Sequence, residues 1–182
     1  RLLRAALLPL KHFYGIKMQV LGSENLNLKE PYVIVCNHQA SLDLVGTCKG
    51  AEGCPALCGQ LLGHCRVPPF PPLITFSPLS HPMQLRVWVF PEGTRNPNKS
   101  MLPFKRGAFH LAVQAQVPIF PIVISPYWDF FSSKEKRFTS GTCTIRILPK
   151  VETQGLSPQD VPRLTESVRQ AMADALAEMT VN

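Results

Sequence analysis

The segment Asn37-His38-Gln39-Ala40-Ser41-Leu42-Asp43 sets an imidazole and a carboxylate five positions apart, directly after the apolar run Tyr32-Val33-Ile34-Val35-Cys36. A neutral imidazole can take the proton of a hydroxyl group near pH 7. A carboxylate on its other ring nitrogen fixes the tautomer and stabilises the imidazolium. A second segment, Phe90-Pro91-Glu92-Gly93-Thr94-Arg95, follows the apolar run Leu85-Arg86-Val87-Trp88-Val89. Its guanidinium can grip two oxygens of a phosphate at once, and Gly93 lets the backbone come close to an anion. Glu92 and Thr94 complete the anion-binding set. Because Glu92 would repel a phosphate in direct contact, its expected task is to orient Arg95 or the loop amides. Lys105, beside Arg106, adds positive charge to the same mouth. The chemistry implied is proton abstraction at one strand end and anion capture at another.

These side chains need strands to carry them. Residues 32–36 and 85–90 read as short buried strands, and Met18 to Gly22 as a first strand. Residues 104–113 read as a helix with Phe104, Ala108, Leu111 and Ala112 on its apolar side. Val117 to Ile124 reads as a further strand. Its prolines, Pro118 and Pro121, each lack a ladder donor, which predicts an edge position or a bulge. Thr142 to Leu148 alternates polar residues with Cys143, Ile145 and Ile147, the period of a half-exposed strand. A last helix is expected after Asp160 as cap and Pro162 in the first turn, with Leu164, Val168, Met172, Leu176 and Met179 as its stripe. Strands alternating with helices predict a single α/β domain over 1–182, a mixed sheet flanked by helices.

One constraint follows for the first motif. On a continuous helix His38 and Asp43 would lie about 140° apart. They meet only if residues 38–41 form a turn before a helix begins, and Ser41 suits its cap.

Residues 44–83 break the pattern. They hold Cys48, Cys54, Cys58 and Cys65, five glycines, and the run Pro68-Pro69-Phe70-Pro71-Pro72, which continues neither a helix nor a central strand. This Pro/Gly/Cys-rich stretch is expected to be irregular, or disordered. With His64, the four cysteines could supply a tetrahedral metal site, but paired Cys-x2-Cys knuckles are missing. No metal is expected. No secretory signal is visible, so reduced thiols facing the cytosol are expected, and Cys36 reads as a buried thiol rather than a nucleophile. His12, His64, His81 and His110 have no matching partner pattern.

The chain has 182 residues, of which 45% are hydrophobic, enough for one domain with a core. A start at Arg1 points to a fragment or a processed chain. The net charge of +7 points to an anionic partner. No nucleic-acid recognition motif or dense basic helix accompanies it. No apolar run reaches the ~18 residues that span a bilayer. Leucines interleaved with Arg1, Arg4 and Lys11 in residues 1–16 suit a helix lying in a membrane interface, or an ordinary surface helix.

Asn-His-x4-Asp after a strand, Phe-Pro-Glu-Gly-Thr-Arg after a later strand, and Val117-Pro118-Ile119-Phe120-Pro121 form an ordered triplet. It resembles the glycerolipid acyltransferases, most closely the 1-acylglycerol-3-phosphate O-acyltransferases, over residues 1–43 and 85–182. That resemblance implies transfer of a fatty acyl group from acyl-CoA, as co-substrate, to the sn-2 hydroxyl of lysophosphatidic acid, without a further cofactor. It implies His38 and Asp43 as the catalytic pair and Glu92, Gly93, Thr94, Arg95 and Lys105 around the substrate phosphate. It also implies that Pro121 and its neighbours shape the acyl-CoA side, and that the protein works at the membrane of the endoplasmic reticulum with its site facing the cytosol. The chain departs from the family in one place. The Gly-x-x-Phe-Ile-x-Arg block expected between the first and second segments is missing from 44–83, and Arg66 does not stand in that context. An active acyltransferase and a homologue that binds lipid phosphate without turnover both remain open on this reading.

Overall fold

The structure, a computed structural model, describes residues 15–26, 31–39, 86–96, 98, 100–132 and 135–181. Asp43, the 1–14 segment and the whole of 44–83, with its cysteines, lie outside the described residues.

Among the described residues, seven strands and two α-helices follow in the order β1 (Ile16–Leu21), β2 (Tyr32–Cys36), β3 (Arg86–Val89), α1 (Gly107–Ala115), β4 (Ile119–Ile124), β5 (Phe131–Ser132), β6 (Arg137–Phe138), β7 (Gly141–Ile147) and α2 (Val161–Val181). The main sheet runs β1-β7-β4-β2-β3, and β5 pairs with β6 in a separate hairpin. Strands β2, β3 and β4 are mutually parallel, β7 runs antiparallel to β4, and β1 is parallel to β7. The C-terminal ends of β2, β3 and β4 therefore share one rim with the N-terminal ends of β1 and β7. This is the mixed α/β sheet expected from the alternation of elements.

Every residue of β2 is buried, as a strand with a covered layer on each side requires. Its alternation divides the core in two. Val33 and Val35 face the helices, packing with Ile119 and Val123 of β4, Phe109 and Ala112 of α1, and Val168 and Met172 of α2. Tyr32, Ile34 and Cys36 face the other way, with Trp88, Phe120, Ile122, Ile124, Tyr127 and Ile145. Cys36 and Cys143 are buried.

The proline-bearing strand is not an edge. β4 lies in the centre, between β7 and β2. Pro118 precedes it, and Pro121 sits where β7 ends: Leu148 N–H still donates to Pro121 O (2.9 Å). Only the reciprocal bond at the last rung is lost, and that is why the sheet tolerates a proline there. By register Pro121 shares the helix-covered face with Ile119 and Val123.

The first helix starts later than its periodicity predicts. Lys105 N–H donates to Pro91 O (2.8 Å), committing that amide to the loop after β3. Residues 104–106 run beside this loop, and the helical face is Ala108, Phe109, Ala112 and Val113. Before α2, Asp160 works together with Ser157: its carboxylate accepts from Ser157 N–H (2.9 Å) and Ser157 Oγ–H (2.7 Å) across a 3-10 turn, Pro158–Asp160. The stripe of α2 buries Leu164, Val168, Met172 and Leu176 as its spacing predicts, with Met179 partly buried. No described helix is long and apolar enough to cross a membrane.

Candidate active site

The turn after β2 is tied down on the side of β4. Asn37 takes the place of another ladder residue: its Oδ1 accepts from Ile124 N–H (2.8 Å) and its Nδ2 donates to Ile124 O (3.0 Å). Gln39 Nε2 donates to Ile124 O (2.9 Å) and Ser125 O (3.1 Å). Between these two anchors the His38 ring turns the other way, toward β3. It stacks on Phe90 with ring centroids 4.2 Å apart and planes 21° apart. His38 is half-buried. An imidazole on an aromatic ring, with an edge toward solvent, has the access that a proton acceptor needs.

The loop after β3 holds the same residue by its backbone. His38 N–H donates to Glu92 Oε1 (3.0 Å), and Asn96 N–H donates to His38 O (2.8 Å). Glu92 is buried, 5% exposed, and its second oxygen accepts from Asn96 Nδ2 (2.8 Å) and Leu102 N–H (3.0 Å). Three N–H donors thus stabilise a buried carboxylate in place of a cation. Of the two tasks expected of Glu92, the loop amides are the one the geometry carries. Its oxygens face these donors, and among the described residues it makes no ion pair with Arg95.

Gly93, Thr94 and Arg95 lie outside this knot, all exposed. Gly93 adopts φ +71°, the left-handed region that glycine enters without strain. Lys105 folds across it: a Cβ built on Gly93 would fall 2.5 Å from Lys105 Nζ and Cε. The ammonium is thereby held against the Gly93 turn, one residue from Arg95. Among the described residues neither Arg95 nor Lys105 has an acidic partner. Two cations without counter-charge beside a glycine turn can accept an anion such as phosphate.

Of the residues singled out from sequence, the rim brings together His38, Gly93, Thr94, Arg95 and Lys105. Asp43 lies outside the described residues. Sequence reasoning passed over Asn37, Gln39 and Asn96, whose amides assemble the rim. Asn37 opens the first motif and Asn96 follows the second, and an amide at a strand end was the available signal. Pro121, given to the acyl-CoA side by resemblance, lies by register on the helix-covered face of β4. His110 is exposed on α1, away from these contacts.

Similarity to known proteins defines an acyltransferase domain. A family model described as Acyltransferase matches residues 75–125, which takes in the second motif and β4. Human 1-acyl-sn-glycerol-3-phosphate acyltransferase alpha is 44% identical over 202 residues, covering 100% of this chain and 71% of the relative. The human beta form is 38% identical over 182 residues, covering 89% of this chain and 66% of the relative. The crystal structure of the 1-acyl-sn-glycerophosphate (LPA) acyltransferase PlsC from Thermotoga maritima shares the fold with TM-score 0.64 and 20% identity, covering 98% of this chain and 82% of that one. This chain belongs to the 1-acyl-sn-glycerol-3-phosphate acyltransferase family. The alpha alignment has 202 positions against 182 residues here, so 20 positions of that relative have no counterpart.

Proposed function

We propose that this chain transfers a fatty acyl group from acyl-CoA to the sn-2 hydroxyl of 1-acylglycerol-3-phosphate, releasing phosphatidic acid and CoA at a membrane surface, that of the endoplasmic reticulum. The hydroxyl oxygen of the substrate attacks the thioester carbonyl carbon as His38 takes its proton. The tetrahedral intermediate then expels CoA thiolate, which recovers the proton from the imidazolium. The substrate supplies the nucleophile, so no acyl-enzyme forms and no cofactor is needed. Asp43 is assigned to the second ring nitrogen on its place in the motif. Arg95 and Lys105 hold the phosphate, and Gly93 gives the backbone its close approach.

The observation that carries this reading is the backbone coupling of His38 to the loop that bears Arg95. Glu92 and Asn96 hold the N–H and the C=O of one histidine. The base and the phosphate-binding cations are thereby fixed relative to each other across more than fifty residues of sequence.

Release of free CoA from acyl-CoA and lysophosphatidic acid, compared with His38→Ala, tests it. Turnover that falls about a hundredfold or more in the variant supports the assignment. Equal, negligible release from both would remove the enzymatic reading. Retained binding of lysophosphatidic acid would then leave a lipid-phosphate-binding homologue, consistent with the missing arginine block.

A further inference from the structure

We propose that Asn96 is a positioning residue for His38, acting through the main chain and through the Glu92 carboxylate; this rests on the reading of His38 as the base. Asn96 is 4% exposed, and its backbone N–H and both polar atoms of its side chain are engaged. Its N–H donates to His38 O (2.8 Å). Its Nδ2 forks to Glu92 Oε2 (2.8 Å) and Ser100 O (2.6 Å). Its Oδ1 accepts from Asn98 N–H (3.1 Å). The side chain therefore closes the 96–100 turn and holds one oxygen of Glu92. The other Glu92 oxygen holds His38 N–H.

His38 is consequently gripped at both peptide groups by neighbours from a different strand end, while its ring is located by Phe90. The hydrogen bonds of the Asn96 side chain go to Glu92, Ser100 and Asn98, and not to the imidazole. A shift of the loop moves the His38 backbone and lifts the ring from its stack. A misplacement of about 1 Å at a catalytic group costs on the order of a hundredfold in rate. The amide is specific for the task, because only a donor can face both Glu92 Oε2 and Ser100 O. A carboxylate at position 96 would set two anions side by side with a carbonyl pressing on both.

Asn96→Asp is expected to lower kcat about a hundredfold while KM for lysophosphatidic acid changes by about twofold or less. Asn96→Ser, which keeps one donor, is expected to fall between it and the parent, and gives a second variant should Asn96→Asp not fold. The second readout is the rate at which diethyl pyrocarbonate modifies His38, followed by peptide mapping with His110 as internal reference. Both variants are expected to change the His38 rate and leave the His110 rate alone. Unchanged kcat, or a loss expressed wholly in KM, in a folded variant would overturn the proposal. So would an unaltered His38 modification rate, and this arm decides even if the parent chain releases no CoA. In that event the failed turnover counts against the proposed function, while a shifted His38 rate still upholds the positioning role.

Discussion

The loop after β3 has two halves that differ in almost every physical respect. The inner half, Glu92 and Asn96, is buried, and the polar atoms of both side chains are hydrogen-bonded within the molecule. The outer half, Gly93 to Arg95, is exposed, and its cation meets no carboxylate among the described residues. Only two residues separate Glu92 from Arg95. A buried, satisfied network has a single low-energy arrangement, so it fixes geometry. An exposed cation keeps its interaction energy for a ligand. The difference separates holding the base from holding the substrate, and the two halves should fail in different kinetic parameters.

The largest effect is expected from Glu92→Ala. It orphans His38 N–H, Asn96 Nδ2 and Leu102 N–H together. At about 1–3 kcal/mol for each buried donor left unpaired, the loss of stability should be on the order of 3–5 kcal/mol, softened where water enters. Urea titration would report it as a lowered midpoint, and turnover should fall with it. A folded variant of parental stability and kcat would erase the distinction between the halves.

The outer half should show the reverse. Arg95→Lys keeps the charge and loses the two-pronged grip, and is expected to raise KM for lysophosphatidic acid about tenfold with kcat nearly unchanged. Gly93→Ala acts on the same step. A Cβ at φ +71° costs about 1–2 kcal/mol and collides with the end of Lys105, whose flexible chain moves aside. The ammonium leaves the turn, so KM should again rise while stability drops only modestly. Steady-state kinetics at saturating acyl-CoA would separate these outcomes. A fall in kcat alone would merge the outer half with the inner one.

How far this division was legible from the residues differs between the halves. The outer half could be read in advance, because Gly93 and Arg95 act through intrinsic properties: freedom at positive φ and a planar cation. The inner half was not, because hydrogen bonds between residues 38, 92, 96 and 102 exist only once β2 and β3 are aligned. Glu92 looked equally suited to orienting Arg95, and only its burial decides. The same distinction applies to the fold. The period-two pattern of β7 and the stripe of α2 report burial on one face and were readable. The prolines of β4 predicted an edge or a bulge; the edge is ruled out by its central place, because the residues show that Pro121 lacks a donor but not that its partner strand stops there. The start of α1 was misjudged for a similar reason: Phe104 fits the helical period, yet the Lys105 amide is taken by Pro91.

The smallest effect belongs to a second carboxylate held by N–H donation, and it provides a control for the first. Asp160 accepts from Ser157 N–H and Oγ–H at the start of the turn leading into α2, as Glu92 accepts from the rim amides. Asp160, however, is solvated, and it lies on the far side of the sequence from every rim contact. Hydrogen bonding from Ser157, chiefly its backbone N–H, lowers the Asp160 pKa below the ordinary aspartate value. A carboxyl group depressed in the folded state stabilises above its unfolded pKa, and that contribution disappears as pH falls through the folded value. Asp160→Asn should therefore reduce Tm slightly at neutral pH and flatten the loss of stability on the acid side, since the titrating group is gone. Melting curves from neutral to acid pH would show it. kcat and KM at neutral pH should match the parent, because a carboxylate that caps a helix contributes folding energy alone, whereas Glu92 couples its donors to the base. If Asp160→Asn impaired turnover as Glu92→Ala does, the activity of both would follow from stability, and the special standing of the inner half would be lost.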